Sequence, residues 1–522
     1  MRPPEEITMT AALRHPLETK PDHDVAIIGT GFSGIGMAIA MKKAGMSDFV
    51  VLEKADKIGG TWRDNHYPGC ACDVQSHLYS FSFEPNPDWS RMYSPQPEIR
   101  AYIERTAQKY GVTPHIRYGV TLTGAHFDED AGLWRLTTAD GKTITARAVV
   151  SGMGALSIPA YPNIKGRESF KGKTFHSQNW DHAYDLKGKR VAVIGTGASA
   201  IQFVPAIAPH AGKVSLFQRT APWVMPKPDR AIGTLERAAN RYIPGFQRAF
   251  REAIYWYLEA RVFGFVVKPS LMTKMEGLAR RYIAKQIKDP VLRAKVTPDY
   301  TIGCKRVLLS NDYYQALARP NVDVITTGIR EITETGVVTE DGQLHEVDAI
   351  IYGTGFKATD MLSGFSITGL KGEDLNRRWK ETGAQAYLGT TVSGFPNLYF
   401  LMGPNTGLGH SSMVYMIESQ IHYVMEALKL MKARDYNHLD VKPEVQAAFN
   451  RTLAGKLDGT VWNNGGCLSW YRDEQGRNVT LWPDFTFRFG RATARLNPAD
   501  YEATPATAIA ARRGSPTRVA AE

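Results

Sequence analysis

The chain has 522 residues, enough for two or three domains and a large buried core, and its composition is that of a globular protein. Four cysteines (Cys70, Cys72, Cys304, Cys467) are too few and too irregularly spaced for a disulfide scaffold or a zinc site, which predicts a reducing, cytoplasmic setting and no metal. The net charge of +11 comes with no recognised nucleic-acid-binding module, so nucleic acid is not an expected partner.

Residues 1–23 contain Glu5, Glu6 and Arg14 and no apolar signal-type run, and are expected to be a flexible extension. The apolar run Val25-Ala26-Ile27-Ile28 then enters Gly29-Thr30-Gly31-Phe32-Ser33-Gly34, a helical stretch follows, and the strand Phe49 to Leu52 ends on Glu53. Strand, glycine turn, helix and acid, in this order, form a dinucleotide fingerprint. Its glycines let the backbone approach a pyrophosphate, the helix N-terminus stabilises the charge, and the acid accepts hydrogen bonds from ribose hydroxyls. A loop-rich stretch, a helix near Pro97 to Tyr110 and strands Val120 to Phe127 and Leu133 to Thr138 come next. The run Ala148-Val149-Val150-Ser151-Gly152-Met153-Gly154 then reads as a strand running into glycines.

A second fingerprint begins at Arg190: Val191 to Ile194, then Gly195-Thr196-Gly197-Ala198-Ser199-Ala200, a helix to about His210, and the strand Val214 to Phe217. Ala200 is a permitted third glycine. Arg219 lies twenty-four residues after Gly195, the spacing that separates Glu53 from Gly29. A guanidinium in place of an acid suits a 2'-phosphate, so this half is expected to bind NADP.

From Arg230 to Tyr300 fourteen Lys and Arg face six Asp and Glu, which predicts a basic helical insertion. Three readings of it compete: a collar that attracts an anionic dinucleotide, a contact with anionic membrane, and an ordinary solvated face. Ala349-Ile350-Ile351-Tyr352-Gly353-Thr354-Gly355-Phe356 nearly copies the strand-to-glycine exit at 148–154, as if the chain leaves one domain, builds another and returns. The expected fold is α/β, with two Rossmann-like domains. The first spans 24–160 and 350–495, the second spans 186–345 with the 230–300 insertion, and 161–185 links them. Residues 502–522, rich in Ala, Arg, Pro and Thr, are expected to be a disordered tail.

The linker carries Phe170, Gly172, His176 and Trp180, followed by Asp181, in an FxGxxxHxxxW pattern. This resembles the signature of type I Baeyer-Villiger monooxygenases; related flavin-containing monooxygenases usually have Tyr or Phe at the position of Trp180. Gly59-Gly60-Thr61-Trp62 and Tyr67-Pro68-Gly69-Cys70-Ala71-Cys72-Asp73 look like the family's flavin-facing segment, and Cys304-Lys305-Arg306 looks like the segment of its active-site arginine. The resemblance implies FAD in the first domain, with Gly60, Thr61 and Trp62 beside it, and NADPH in the second. It further implies Arg306 as the catalytic arginine, Asp73 as its partner near the flavin, and Lys305 beside Arg219 on the 2'-phosphate. The implied reaction converts a ketone to an ester or lactone through a flavin-bound peroxide, with O2 as co-substrate. His176 and Trp180 would couple domain rotation to NADP position, although a backbone-bonded structural histidine fits His176 as well. The segments 403–411 and 467–471 look closer to the 4-hydroxyacetophenone monooxygenase branch than to the cyclohexanone branch. Three rivals stand beside this reading: a heteroatom hydroxylase that would need no Arg306, a non-catalytic nucleotide-binding redox sensor, and a disulfide reductase, which lacks its cysteine pair. Cys70 and Cys72 are expected to be structural.

Overall fold

The computed structural model describes residues 20–514. Two separate sheets organise the chain, each built around one glycine turn. In the first, His23–Ile28 lies between Phe49–Leu52 and Thr143–Ser151, both parallel to it. Residues 25–28 and Phe49–Leu52 read as continuous apolar runs because both faces of these central strands are buried. Thr143–Ser151 is long enough to pair twice: its first half runs antiparallel to Leu133–Thr138, and Val149–Ser151 runs parallel to Leu398–Phe400. Ser366–Thr368 adds the edge strand beside Leu122–Asp128. The C-terminal third therefore returns to the sheet that the N-terminus began.

The second sheet is wholly parallel, in the order Val322–Ile325, Lys213–Phe217, Arg190–Ile194, Ala349–Tyr352, Lys173–His176. It reaches beyond 186–345 on both sides. Lys173–His176, inside the stretch read as a linker, and Ala349–Tyr352, read as the return to the first domain, are both strands of this sheet: Ala349–Tyr352 pairs with Arg190–Ile194, and Lys173–His176 pairs with Ala349–Tyr352 to form the edge. The insertion forms the helices Thr234–Tyr242, Phe246–Glu259, Leu271–Gln286 and Pro290–Val296, with a π-turn at Phe263–Val267.

The long helix Met413–Arg434 packs on Phe32–Lys43, the helix of the first glycine turn. Gly36 permits the close crossing, since a Cβ there would stand 2.8 Å from Ile421 Cδ1. Among the described residues no helix is long and apolar enough to cross a membrane.

The disordered tail expected from 502 onward is overturned as far as Gly514. Tyr501–Pro505 is a strand paired antiparallel with Tyr436–Val441, and the helix Ala506–Gly514 follows it. Buried Tyr501 anchors this strand, its hydroxyl 2.8 Å from that of Tyr423, so long-range pairing overrides a loop-like composition. The remainder of that tail, 515–522, and residues 1–19 of the expected extension lie outside the described residues.

Candidate active site

Each glycine turn is shaped by the strand beneath it. Gly29 has φ +93°, and a Cβ there would meet Gly152 O at 2.8 Å; Gly195 has φ +105°, and a Cβ would meet Gly353 O at 2.5 Å. The two strand-to-glycine exits thus play the same part, passing their backbone under a turn where no side chain fits. A Cβ on Gly34 would come 1.8 Å from Gly29 O, so this third glycine is fixed by the turn itself. At the equivalent Ala200 the methyl is buried and would approach a Cβ on Gly353 at 3.3 Å.

Gly31 differs: a Cβ there would meet only Gly60 Cα, at 3.8 Å. The helix Phe32–Lys43 starts at Gly31 without a side-chain cap, as the helix Ala200–Ile207 starts at Ser199 without one. Bare backbone at an uncapped helix N-terminus is a cradle for a pyrophosphate. Buried Glu53 accepts from Thr30 N at 3.0 Å and Thr30 Oγ1 at 2.6 Å, and its other oxygen meets Ala55 N and Arg63 Nη1. The carboxylate is thereby fixed beside the turn.

Arg219 is exposed at the end of Lys213–Phe217. Burial lowers the Lys305 pKa, and the Arg219 charge lowers it further, so the two cations are within electrostatic range of each other. Lys305 Nζ also lies 5.0 Å from the Tyr300 ring centre. Two cations within range of each other, one an open fork, have the chemistry that suits a phosphate dianion.

The next residue turns the other way. Arg306 Nε donates to Asp73 Oδ2 at 2.7 Å, and Nη1 donates to Leu408 O at 3.0 Å. Burial alone would lower the guanidinium pKa, but Asp73 outweighs it and the net shift is upward; burial likewise raises Asp73, and Arg306 brings it below the usual carboxylate range. Both groups therefore stay ionised. Their side chains remain 26% and 30% exposed, so the pair can still be reached from outside.

The Asp73 segment is held from both halves of the molecule. Tyr67 OH donates to Gln202 Oε1, Gln202 Nε2 donates to Ala71 O, and a Cβ on Gly69 would meet Gln202 O at 2.7 Å, so 67–73 lies against the helix of the second turn. On the other side Trp62 Nε1 donates to Tyr79 OH, and Tyr79 senses the charges of Asp73 and Arg306. Thr61 and Trp62 open the short helix Thr61–Asp64 directly after Gly60.

Three side chains at this site had no role in the sequence reading. Tyr471 is buried with its hydroxyl unpartnered, and the Arg306 and Asp73 charges act on it. His410 is buried 3.6 Å from Glu259 Oε2, and desolvation keeps it neutral despite that carboxylate. Lys227, lowered by burial, is within electrostatic range of Asp229, Cys72 and Asp73. His410 and Tyr471 lie inside segments singled out by resemblance; Lys227 carried no signal.

The signature residues are packed into the second sheet. Trp180 is buried against Phe175 and Phe203. His176 is fully buried, its Nδ1 accepts from Gln178 N, and burial lowers its pKa to about 4. A Cβ on Gly172 would strike the Phe170 ring and Asp348 O. Asp181 pairs with Lys173 at 2.5 Å and accepts from Ala183 N.

The cysteines correct one expectation. Cys304 and Cys467, 163 residues apart, are joined in a disulfide that links the Arg306 segment to the Tyr471 segment. Only folding brings them together, and no CxxC spacing announces it. Cys70 and Cys72 are free and buried, the Cys70 thiol pushed up to about 12 by desolvation.

Residues 26–242 match the family model described as pyridine nucleotide-disulphide oxidoreductase. A Baeyer-Villiger monooxygenase of Pseudomonas aeruginosa is 57% identical, over 92% of this chain and 91% of that one. Another from Streptomyces coelicolor is 49% identical, over 92% of each. The crystal structure of OTEMO in complex with FAD and NADP superposes with a TM-score of 0.85 at 27% identity, covering 93% of this chain and all of that one. With two glycine turns and one arginine–carboxylate pair on the same chain, and relatives this similar along nearly the whole length, the chain belongs to the Baeyer-Villiger monooxygenase family.

Proposed function

We propose that the protein catalyses the NADPH- and O2-dependent conversion of a ketone to an ester or lactone, with FAD as its resident cofactor: ketone, O2, NADPH and a proton give ester, NADP and water. The observation that carries this is the Arg306–Asp73 pair, ionised, still accessible, and carried on a segment held against the helix of the second glycine turn. The bare Gly31–Gly60 contact and Glu53 suit FAD, and Arg219 with Lys305 suits the 2'-phosphate of NADPH. FAD, once bound and reduced, supplies the activated oxygen.

The chain's own groups handle charge and position. Attack on a ketone carbonyl builds negative charge on oxygen, and a cation that cannot release its proton stabilises it. Asp73 and Leu408 O engage two of the five N–H groups of Arg306, which fixes the plane of the guanidinium and leaves three to donate to reacting oxygens. Tyr471 OH lies close enough to sense Arg306 and gives the same region a neutral donor. His410, held neutral, adds no second cation there. Trp180, packed between Phe175 of the second sheet and Phe203 of its helix, and His176, buried against Tyr161 and Phe356, set the position of the NADP half. A heteroatom hydroxylase would have no use for the Arg306–Asp73 pair.

The loops 403–411 and 467–471 put aryl ketones first in a substrate panel. A cytoplasmic setting is part of the proposal, and there the Cys304–Cys467 bridge would follow the redox poise of the compartment. The test is NADPH consumption in air by the FAD-loaded protein with aryl, cyclic and long aliphatic ketones, products identified by mass. Ester formed in step with NADPH, and lost in Arg306→Ala, is the expected result. Sulfoxide from a sulfide, with no ester from any ketone, would sink the proposal.

A further inference from the structure

Of the eighteen large apolar side chains that stand exposed among the described residues, eleven lie between Leu235 and Val291, in the basic insertion. Their arrangement is regular. Along Phe246–Glu259 and its continuation through Phe263–Val267, the exposed positions Ala249, Ala253, Trp256, Ala260, Phe263 and Val267 recur every three or four residues and form one apolar stripe. Trp256 is 57% exposed, Tyr257 beside it 56%, Phe263 46% and Val267 54%. Phe487, itself exposed, extends the stripe against Trp256 at 6.1 Å between ring centres. The opposite face is committed to the protein: Ile254, Tyr255 and Leu258 are buried, and Arg251 donates to His77 O and Ser80 O. The exposed face carries one acid, Glu252; exposed Arg248 and Lys268 adjoin the stripe in sequence, and the flanking helices Thr234–Tyr242 and Leu271–Gln286 carry exposed Arg237 and Lys274.

We infer that this face docks on an anionic lipid bilayer, with the helix lying in the plane of the surface. An apolar stripe rich in Trp, Tyr and Phe and bordered by Lys and Arg is the composition of an interfacial helix, with rings at headgroup depth and cations on anionic lipid. Charge decides between a bilayer and a second copy of this chain. The segment 230–300 carries +8, so self-association would bring two such surfaces together, whereas an anionic bilayer neutralises them. Arg230 and Arg241 are paired with Glu236 and Asp88, whereas exposed Arg248 and Lys268, next in sequence to Ala249 and Val267 of the stripe, take part in no ion pair among the described residues.

The test is co-sedimentation of the full, FAD-loaded chain with vesicles of phosphatidylglycerol and phosphatidylcholine, against vesicles of phosphatidylcholine alone, at low and high salt. Binding confined to the anionic vesicles and weakened by salt is expected. Trp256→Ser with Phe263→Ser should abolish it at an unchanged melting temperature, and Arg248→Ala should weaken it about fivefold. Sedimentation velocity without lipid accompanies the assay. Equal recovery with both vesicle types, or binding that survives the double substitution, would overturn the inference. So would a dimer that the double substitution dissociates, since the stripe would then belong to a second copy.

Discussion

If Asp73 acts through Arg306, removing its charge should cost nearly what removing the arginine costs. At 2.7 Å the pair attracts by about 6 kcal/mol for an effective dielectric constant near 20. Because 26% and 30% of the two side chains still face solvent, screening cuts this to roughly 3 kcal/mol, the energy that holds the guanidinium in its plane, and losing that orientation costs on the order of a hundredfold in rate. Asp73→Asn should therefore lower kcat/KM for ester formation about a hundredfold, and Arg306→Ala by about a hundred- to a thousandfold. The informative variant is the double one. With Arg306 gone the carboxylate has nothing left to orient, so Asp73→Asn should add less than about threefold to the loss from Arg306→Ala. The assay follows NADPH, ester and hydrogen peroxide together, so that uncoupled oxidation is separated from failed cofactor reduction. If the two losses simply multiply, Asp73 acts independently and the positioning argument fails.

Gly31→Ala should fold with a melting temperature within a few degrees of the parent, because the nearest atom to a Cβ is 3.8 Å away, yet purify with little flavin, since the methyl occupies the pyrophosphate path. Full flavin content at 450 nm would refute this; Gly34→Ala, whose Cβ would stand 1.8 Å from Gly29 O, should not fold at all. Arg219→Ala should raise KM for NADPH about 10- to 100-fold and leave NADH nearly unchanged, as loss of a charged phosphate contact does. Equal effects on both nucleotides would place the 2'-phosphate elsewhere. Acid should destabilise the protein through His176, held at about 4 by burial. Above pH 6.5 neither state carries this proton; between 6.5 and 4 only the unfolded chain takes it up, so stability falls by about 3 kcal/mol and levels off below. Urea midpoints at pH 7 and pH 4.5 should converge in His176→Asn, and an unchanged pH slope would show that the ring is not the cause.

Local features were legible in the sequence because they depend on neighbours along the chain. Both glycine turns, their strands and their helices follow from residues within about thirty positions of one another. Even the two exits could be seen to be alike, although why they end in glycine becomes clear only when Gly152 and Gly353 pass beneath Gly29 and Gly195. The Arg306–Asp73 pair spans 233 residues and was reached through resemblance, since no periodicity relates such distant positions. Cys304 and Cys467 defeated the spacing argument for the same reason. Tyr501–Pro505 was missed because a five-residue strand with one buried residue carries almost no alternation. Glu259, in a charged amphipathic helix, carries no signal of burial in the sequence, yet it is buried against Thr486 and His410.

The Cys304–Cys467 bridge constrains how the two halves can move. It joins a segment that follows the basic insertion to one in the C-terminal third, and it holds their Cα atoms 6.1 Å apart. With the bridge formed, the halves cannot part at this point; they can only swing about it as about a pin. A nucleotide or substrate could then enter through an angular opening whose vertex lies beside Arg306, so the arginine and the 467–471 loop would stay close in every position of the swing. Cutting the pin by reduction would add a translational freedom, and the geometry around Arg306 would then depend on noncovalent contacts alone.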